Sequence, residues 1–214
     1  MSDSDLAQPG PIQCLVNQQH NWHRSGGSAS AAGSSVLWLP GFSDGGNPGW
    51  DNETQAPRFW VLDRANPLQK PQSFVGSDST TVPAGLIPLM DNQHILVAAV
   101  LASSTYRVPQ GPLYRFLMAN GAGTVLATVE NLNTGMACGI RCMFSYVLVS
   151  VAGGNEGPGI EYLDLPAPLT YAVSTSPEAG DQHYSGGVSF AVFELVQMDG
   201  GLYFPTRSLY PTGG

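Results

Sequence analysis

Apolar residues along the chain occur in short, β-branched and aromatic runs set off by glycine and proline, the pattern of strands between turns. "SSVLWLPGF" (34–42), "RFWVLD" (58–63) and "HILVAAVLAS" (94–103) are strand candidates. "LYRFLMANGAGTVLATVENLNTGMACGIRCMFSYVLVSVAGG" (113–154) is expected to be a meander. Its turns fall at Asn120-Gly121 and Asn133-Thr134-Gly135, since Asn and Gly accept the positive φ of tight hairpins. "GIEYLDL" (159–165), "LTYAVST" (169–175), "GVSFAVFELVQ" (187–197) and "LYFPTRSLY" (202–210) complete the set, with a turn at Met198-Asp199-Gly200-Gly201. No segment keeps a helical period for more than about three turns.

The expected fold is therefore all-β: an antiparallel barrel or sandwich with long Gly/Pro-rich loops and almost no helix. The 26 glycines and 17 prolines punctuate the chain and form no low-complexity tract. Long loops are expected at 40–57 and 64–85, of the kind that is either functional or pinned against a neighbouring subunit. "RSGGSASAAGSS" (24–35) is linker-like, or a surface loop between the first two strands. With no independent core before it, residues 1–214 are expected to form one domain, with 1–35 partly extended.

Charge narrows the partners. Only 11% of residues are charged, the net charge is −8 and Lys70 is the sole lysine, so no basic stripe exists to neutralise phosphates. Neither nucleic acid nor an anionic membrane is expected as a partner on that basis. No apolar run approaches the roughly eighteen residues of a membrane span. "MSDSDLAQPGPIQ" lacks both the basic and the apolar regions of a leader, so a soluble protein or fragment is expected.

Cysteine and histidine contribute little. Cys14, Cys138 and Cys142 are too few for a disulfide scaffold, and an odd count leaves at least one thiol free. A Cys14–Cys138 or Cys14–Cys142 bridge is allowed by the count but not implied. The spacing in "MACGIRCMF" suits buried thiols better than a metal site. His20 and His23 lie in the N-terminal segment, while His94 and His183 are isolated. No metal and no cofactor are expected.

"GDQHYSGGVSF" (180–190) has the letters of a serine-hydrolase loop. A nucleophilic serine needs a constrained turn with backbone amides forming an oxyanion hole. Here His183 and Tyr184 precede Ser185 where a small residue is required, and no Gly-x-Ser-x-Gly occurs. His23 and Asp91 lie upstream in the order a protease would use, but so they would for nearly any serine. Glu156 with Glu161, or Glu161 with Asp164, are carboxylate pairs of the type used in glycoside hydrolysis, and equally what a solvated loop and strand edge contain. "GAGT" (121–124) lacks phosphate-loop spacing and is expected to be a turn.

Trp50-Asp51-Asn52 stands out more, because a rigid apolar plate beside hydrogen-bonding side chains suits a sugar. Trp50 equally suits tucking under its own loop and fixing it. His183-Tyr184-Ser185 and Trp22-His23-Arg24 are weaker candidates of the same kind. The binding candidates are thus Trp50, Asp51, Asn52, His183, Tyr184 and Ser185, with no catalytic residue among them.

A lysine-poor, Ser/Thr/Gly/Asn-rich β chain without a catalytic motif resembles a projecting domain of a small non-enveloped virus capsid. The stretches "YRFLMANGAGTVLATVENLNTGMACGIRCMFSYVLVS" and "GVSFAVFELVQMDGGLYFPTRSLYPT" are most similar in length and order to the spike domain of astrovirus capsids, the avian ones in particular. The resemblance covers nearly the whole chain but is one of style and order. Calicivirus protruding domains and phage receptor-binding tips share the composition. It implies a β-barrel-like core, a homodimer on the virion surface, attachment to a host-cell receptor (protein or glycan), recognition by neutralising antibodies, and no catalysis. Dimerisation is physically reasonable in an extended β domain, whose exposed apolar strands, such as "HILVAAVLAS", would need covering by a second copy. The competing classes are a carbohydrate-binding or adhesion module of phage or cellular origin and a hydrolase using Ser185 or a carboxylate pair.

Overall fold

The computed structural model of the chain describes residues 10–17, 27–31, 34–40, 57–102, 109–128, 144–164 and 190–207. Among them are ten strands: β1 (Ile12–Asn17), β2 (Gly27–Ala31), β3 (Ser34–Pro40), β4 (Arg58–Asp63), β5 (Gln72–Val75), β6 (His94–Ala102), β7 (Phe144–Val151), β8 (Ile160–Asp164), β9 (Phe190–Gln197) and β10 (Tyr203–Arg207). They form two five-stranded sheets, ordered β10-β9-β1-β3-β2 and β5-β4-β6-β7-β8. Every pair is antiparallel except β1 with β3, which run parallel with the return strand β2 on the outside. The sheets do not close into a barrel; they stack as a sandwich.

Alternation along β6 and β7 explains why their sequences read as continuous apolar runs. Ile95, Val97, Ala99, Val147 and Val149 face the first sheet, where Cys14, Val16, Leu37, Leu39, Phe193 and Leu195 meet them. Leu96, Ala98, Val100, Tyr146 and Leu148 face the opposite way, under Leu86, Leu113, Leu117 and Leu126. A strand buried on both faces has no polar side, unlike one with a solvated face. Ile95 to Val100 are at most 1% exposed within the single chain. The expectation that this strand needs a second copy to cover it is therefore corrected: the chain covers it itself.

The strands dominate as expected, but the covering layer is made of short helices where a meander is expected from 113. Helix α1 (Gly111–Ala119) begins with a proline in its first turn and puts Leu113 and Leu117, one turn apart, onto the sheet. Residues 124–128 are also helical and add Leu126. Asn120-Gly121 thus ends a helix and is no hairpin turn: Gly121 has φ +95°, and its N–H bonds back to the Met118 carbonyl. The meander expected from 113 has its first described strand at Phe144. A 3-10 helix over Ala84–Leu89 contributes Leu86.

Two further differences are local. The expected loop 64–85 contains β5, and the linker-like 24–35 contains β2, whose Gly-Ser-Ala-Ser-Ala carries no apolar alternation. The Met198–Gly201 turn is present, with Gly200 and Gly201 at positive φ. Strand 169–175, the 133–135 turn, Cys138 and Cys142 lie outside the described residues. Cys14 is a buried free thiol.

Candidate functional site

The register of the strands separates two ends of the sandwich. At one, the Tyr203 N–H donates to the Arg64 carbonyl at 2.9 Å, aligning the start of β10 with the end of β4. Connections at this end are short and tied together. Arg64, 4% exposed, is their hub. Its Nε donates to the Tyr203 carbonyl (2.9 Å), and its Nη1 donates to the Asn92 carbonyl (2.6 Å) and to Glu156 Oε1 (2.8 Å). The guanidinium also lies 6.0 Å from the centroid of the Phe204 ring. Charge-assisted bonds of this kind are stronger than neutral ones, and a planar fork holds several acceptors at once.

At the other end, strand termini bound the connections 18–26, 41–57, 103–143 and 165–189, while 76–93 runs from this end to the compact one. Asn17 at the end of β1 is in register with Pro40, which ends β3, and with Phe190, which begins β9. In the second sheet the same end carries Arg58, Ala102 with Phe144, and Asp164 with Ser145. Segment 41–56 thus departs beside Asn17, and segment 165–189 returns on its other side. Two strand spacings put Pro40 and Phe190 about 10 Å apart. Trp50, Asp51 and Asn52 belong to the first segment, and His183, Tyr184 and Ser185 to the second. All six lie outside the described residues, but the strands anchor both segments to one end.

Next to these termini the side of the sandwich is closed by Arg207. Its Nη2 donates to the Glu161 carbonyl at 3.3 Å, and its guanidinium stands 5.4 Å from the centroid of the Tyr162 ring. Burial raises the Tyr162 phenol above its ordinary value, with Arg207 acting in the opposite direction. Arg58, partly buried at the start of β4, is lowered by loss of solvent.

The carboxylates considered for glycoside hydrolysis are engaged elsewhere. Glu156 pairs with Arg64 at the compact end. Glu161 accepts from the Tyr146 hydroxyl (2.8 Å) and from the backbone N–H groups of Leu126 (2.9 Å) and Val125 (3.4 Å). It thereby caps the helical residues 124–128 from a neighbouring strand, a favourable place for negative charge. Burial and the adjacent Glu161 push the Tyr146 phenol far above its usual range. Neither carboxylate is poised opposite the other. The side chain of Asp164 is outside the described ones.

His94 is not isolated. Its Nδ1 shares a 2.6 Å hydrogen bond with Asp91 Oδ1 in the turn leading into β6. Burial opposes ionisation of Asp91, but hydrogen bonds from His94 and Gln93 outweigh it and hold the carboxyl below its ordinary range. Asp91 therefore serves this turn, while its other notional partner, His23, lies outside the described residues. Among the described residues no three His, Cys, Asp or Glu side chains gather as a metal-ligating group. None of their helices is long and apolar enough to cross a membrane.

Arg64 has no signal in the sequence beyond a basic residue directly after a buried strand. Compared with protein-family models, with curated proteins and with solved structures, the chain matches none.

Proposed function

We propose that the chain is a non-enzymatic surface projection of a small non-enveloped virus capsid, of the astrovirus spike type. In this reading it acts as a homodimer on the virion, attaches to a host-cell receptor, protein or glycan, and carries the epitopes of neutralising antibodies. The observation that carries it is the asymmetry of the sandwich. Segments 41–56 and 165–189 are both anchored at one end, and the other end is held together by Arg64. A rigid β scaffold presenting variable loops on one end is a common solution for recognition. Trp50-Asp51-Asn52 and His183-Tyr184-Ser185 belong to the two segments whose flanking strands end there, and they are the residues assigned to receptor contact. The homodimer rests on the resemblance, since covering β6 no longer requires one, and a symmetric pair would turn weak contacts into avidity.

The test is saturable binding of the purified chain to candidate host cells, with the solution mass measured on the same preparation. A dimer that binds and is competed by unlabelled protein is expected. Trp50→Ala and Tyr184→Ala should weaken binding by about tenfold or more, the effect of losing one buried aromatic anchor. Met198→Ala at the compact end should leave binding unchanged. A monomer that binds glycans but no cell would indicate a carbohydrate-binding or adhesion module. Hydrolytic activity abolished by Ser185→Ala would overturn the non-enzymatic reading.

A further inference from the structure

We draw no further inference here: the strongest candidate, the outer edge strand Gly27–Ala31 with the face of its sheet turned away from the second sheet, carries nothing because nothing in the structure shows what covers it.

Discussion

Replacing Arg64 with alanine tests whether the compact end is held by one buried cation. The side chain is 5% exposed, whereas its partner Glu156 is 34% exposed, so the two halves of the pair are not equivalent. Without Arg64, the Glu156 carboxylate and the Asn92 carbonyl, both on exposed residues, return to water at little cost. The Tyr203 carbonyl, on a residue 8% exposed, loses its side-chain donor, and the buried stem is lost together with the guanidinium's approach to the Phe204 ring. One buried acceptor left unmade costs about 1–3 kcal/mol, and the stem adds to it, so Arg64→Ala should cost about 3 kcal/mol. Glu156→Ala leaves the guanidinium with two carbonyl acceptors and should cost about 1 kcal/mol. Because the pair is shared, the double variant should cost about 1 kcal/mol less than the sum of the single ones. Urea unfolding followed by tryptophan fluorescence reads all three values. In a thermal melt of a domain this size, Arg64→Ala should lower Tm by about 6–12 °C. The reasoning is refuted if Glu156→Ala proves as costly as Arg64→Ala, or if Arg64→Ala costs under about 1 kcal/mol.

The remaining predictions probe other parts of the fold. Gly154 has φ +67°, and a Cβ there would run into the Ala119 carbonyl at the end of α1, so Gly154→Ala should cost about 3 kcal/mol in chemical denaturation. Gly111 has φ +54° with open space around it, so Gly111→Ala should cost only about 1 kcal/mol, and equal losses at the two sites would contradict this account. Asp78 accepts from the backbone and hydroxyl groups of Thr80 and Thr81, which hold its carboxyl at about 2. The same turn offers the Ser79 and Thr80 carbonyls to the N–H groups of Gln110 and Leu113 at the start of α1. The depressed value means that the ionised form stabilises the fold above the unfolded carboxylate range near 4 and that this is lost as pH falls through about 2. Asp78→Ala should therefore lose about 0.5–1 kcal/mol at pH 7, discounted for exposure, with the gap to the parent closing by pH 2 in urea titrations. Burial pushes the Cys14 thiol far above its usual range, so in a Cys138→Ser, Cys142→Ser background a thiol reagent at pH 8 should label it only after unfolding. Rapid labelling of the folded protein would place Cys14 outside the core.

The residues differ in how much of their role is written locally. Strands β3, β4, β6 and β9 were legible because runs such as Phe59-Trp60-Val61-Leu62 are β-branched or aromatic and bounded by turn residues. Helix α1 is not legible locally because its nine residues are too short for a helical period to stand out from a dense apolar run, and β2 is not because small residues carry no alternation. The binding candidates were legible only as letters suited to recognition. What the strands add is that the segments holding them are anchored at one end.

By itself the sequence determined the class of the protein: a low-charge, lysine-poor β chain whose turns fall where Gly, Asn and Pro allow them. Those are properties of a residue and its immediate neighbours, and side-chain period and turn chemistry report them directly. Tertiary structure alone decided that β6 is covered on both faces within one chain and that Glu161 caps a helix. It alone decided, too, that Arg64 joins partners 28, 92 and 139 positions away. A run of apolar residues states that it must be buried but not by what. A buried cation is stable only where acceptors converge on it, and that convergence belongs to the folded sheets, not to any stretch of chain.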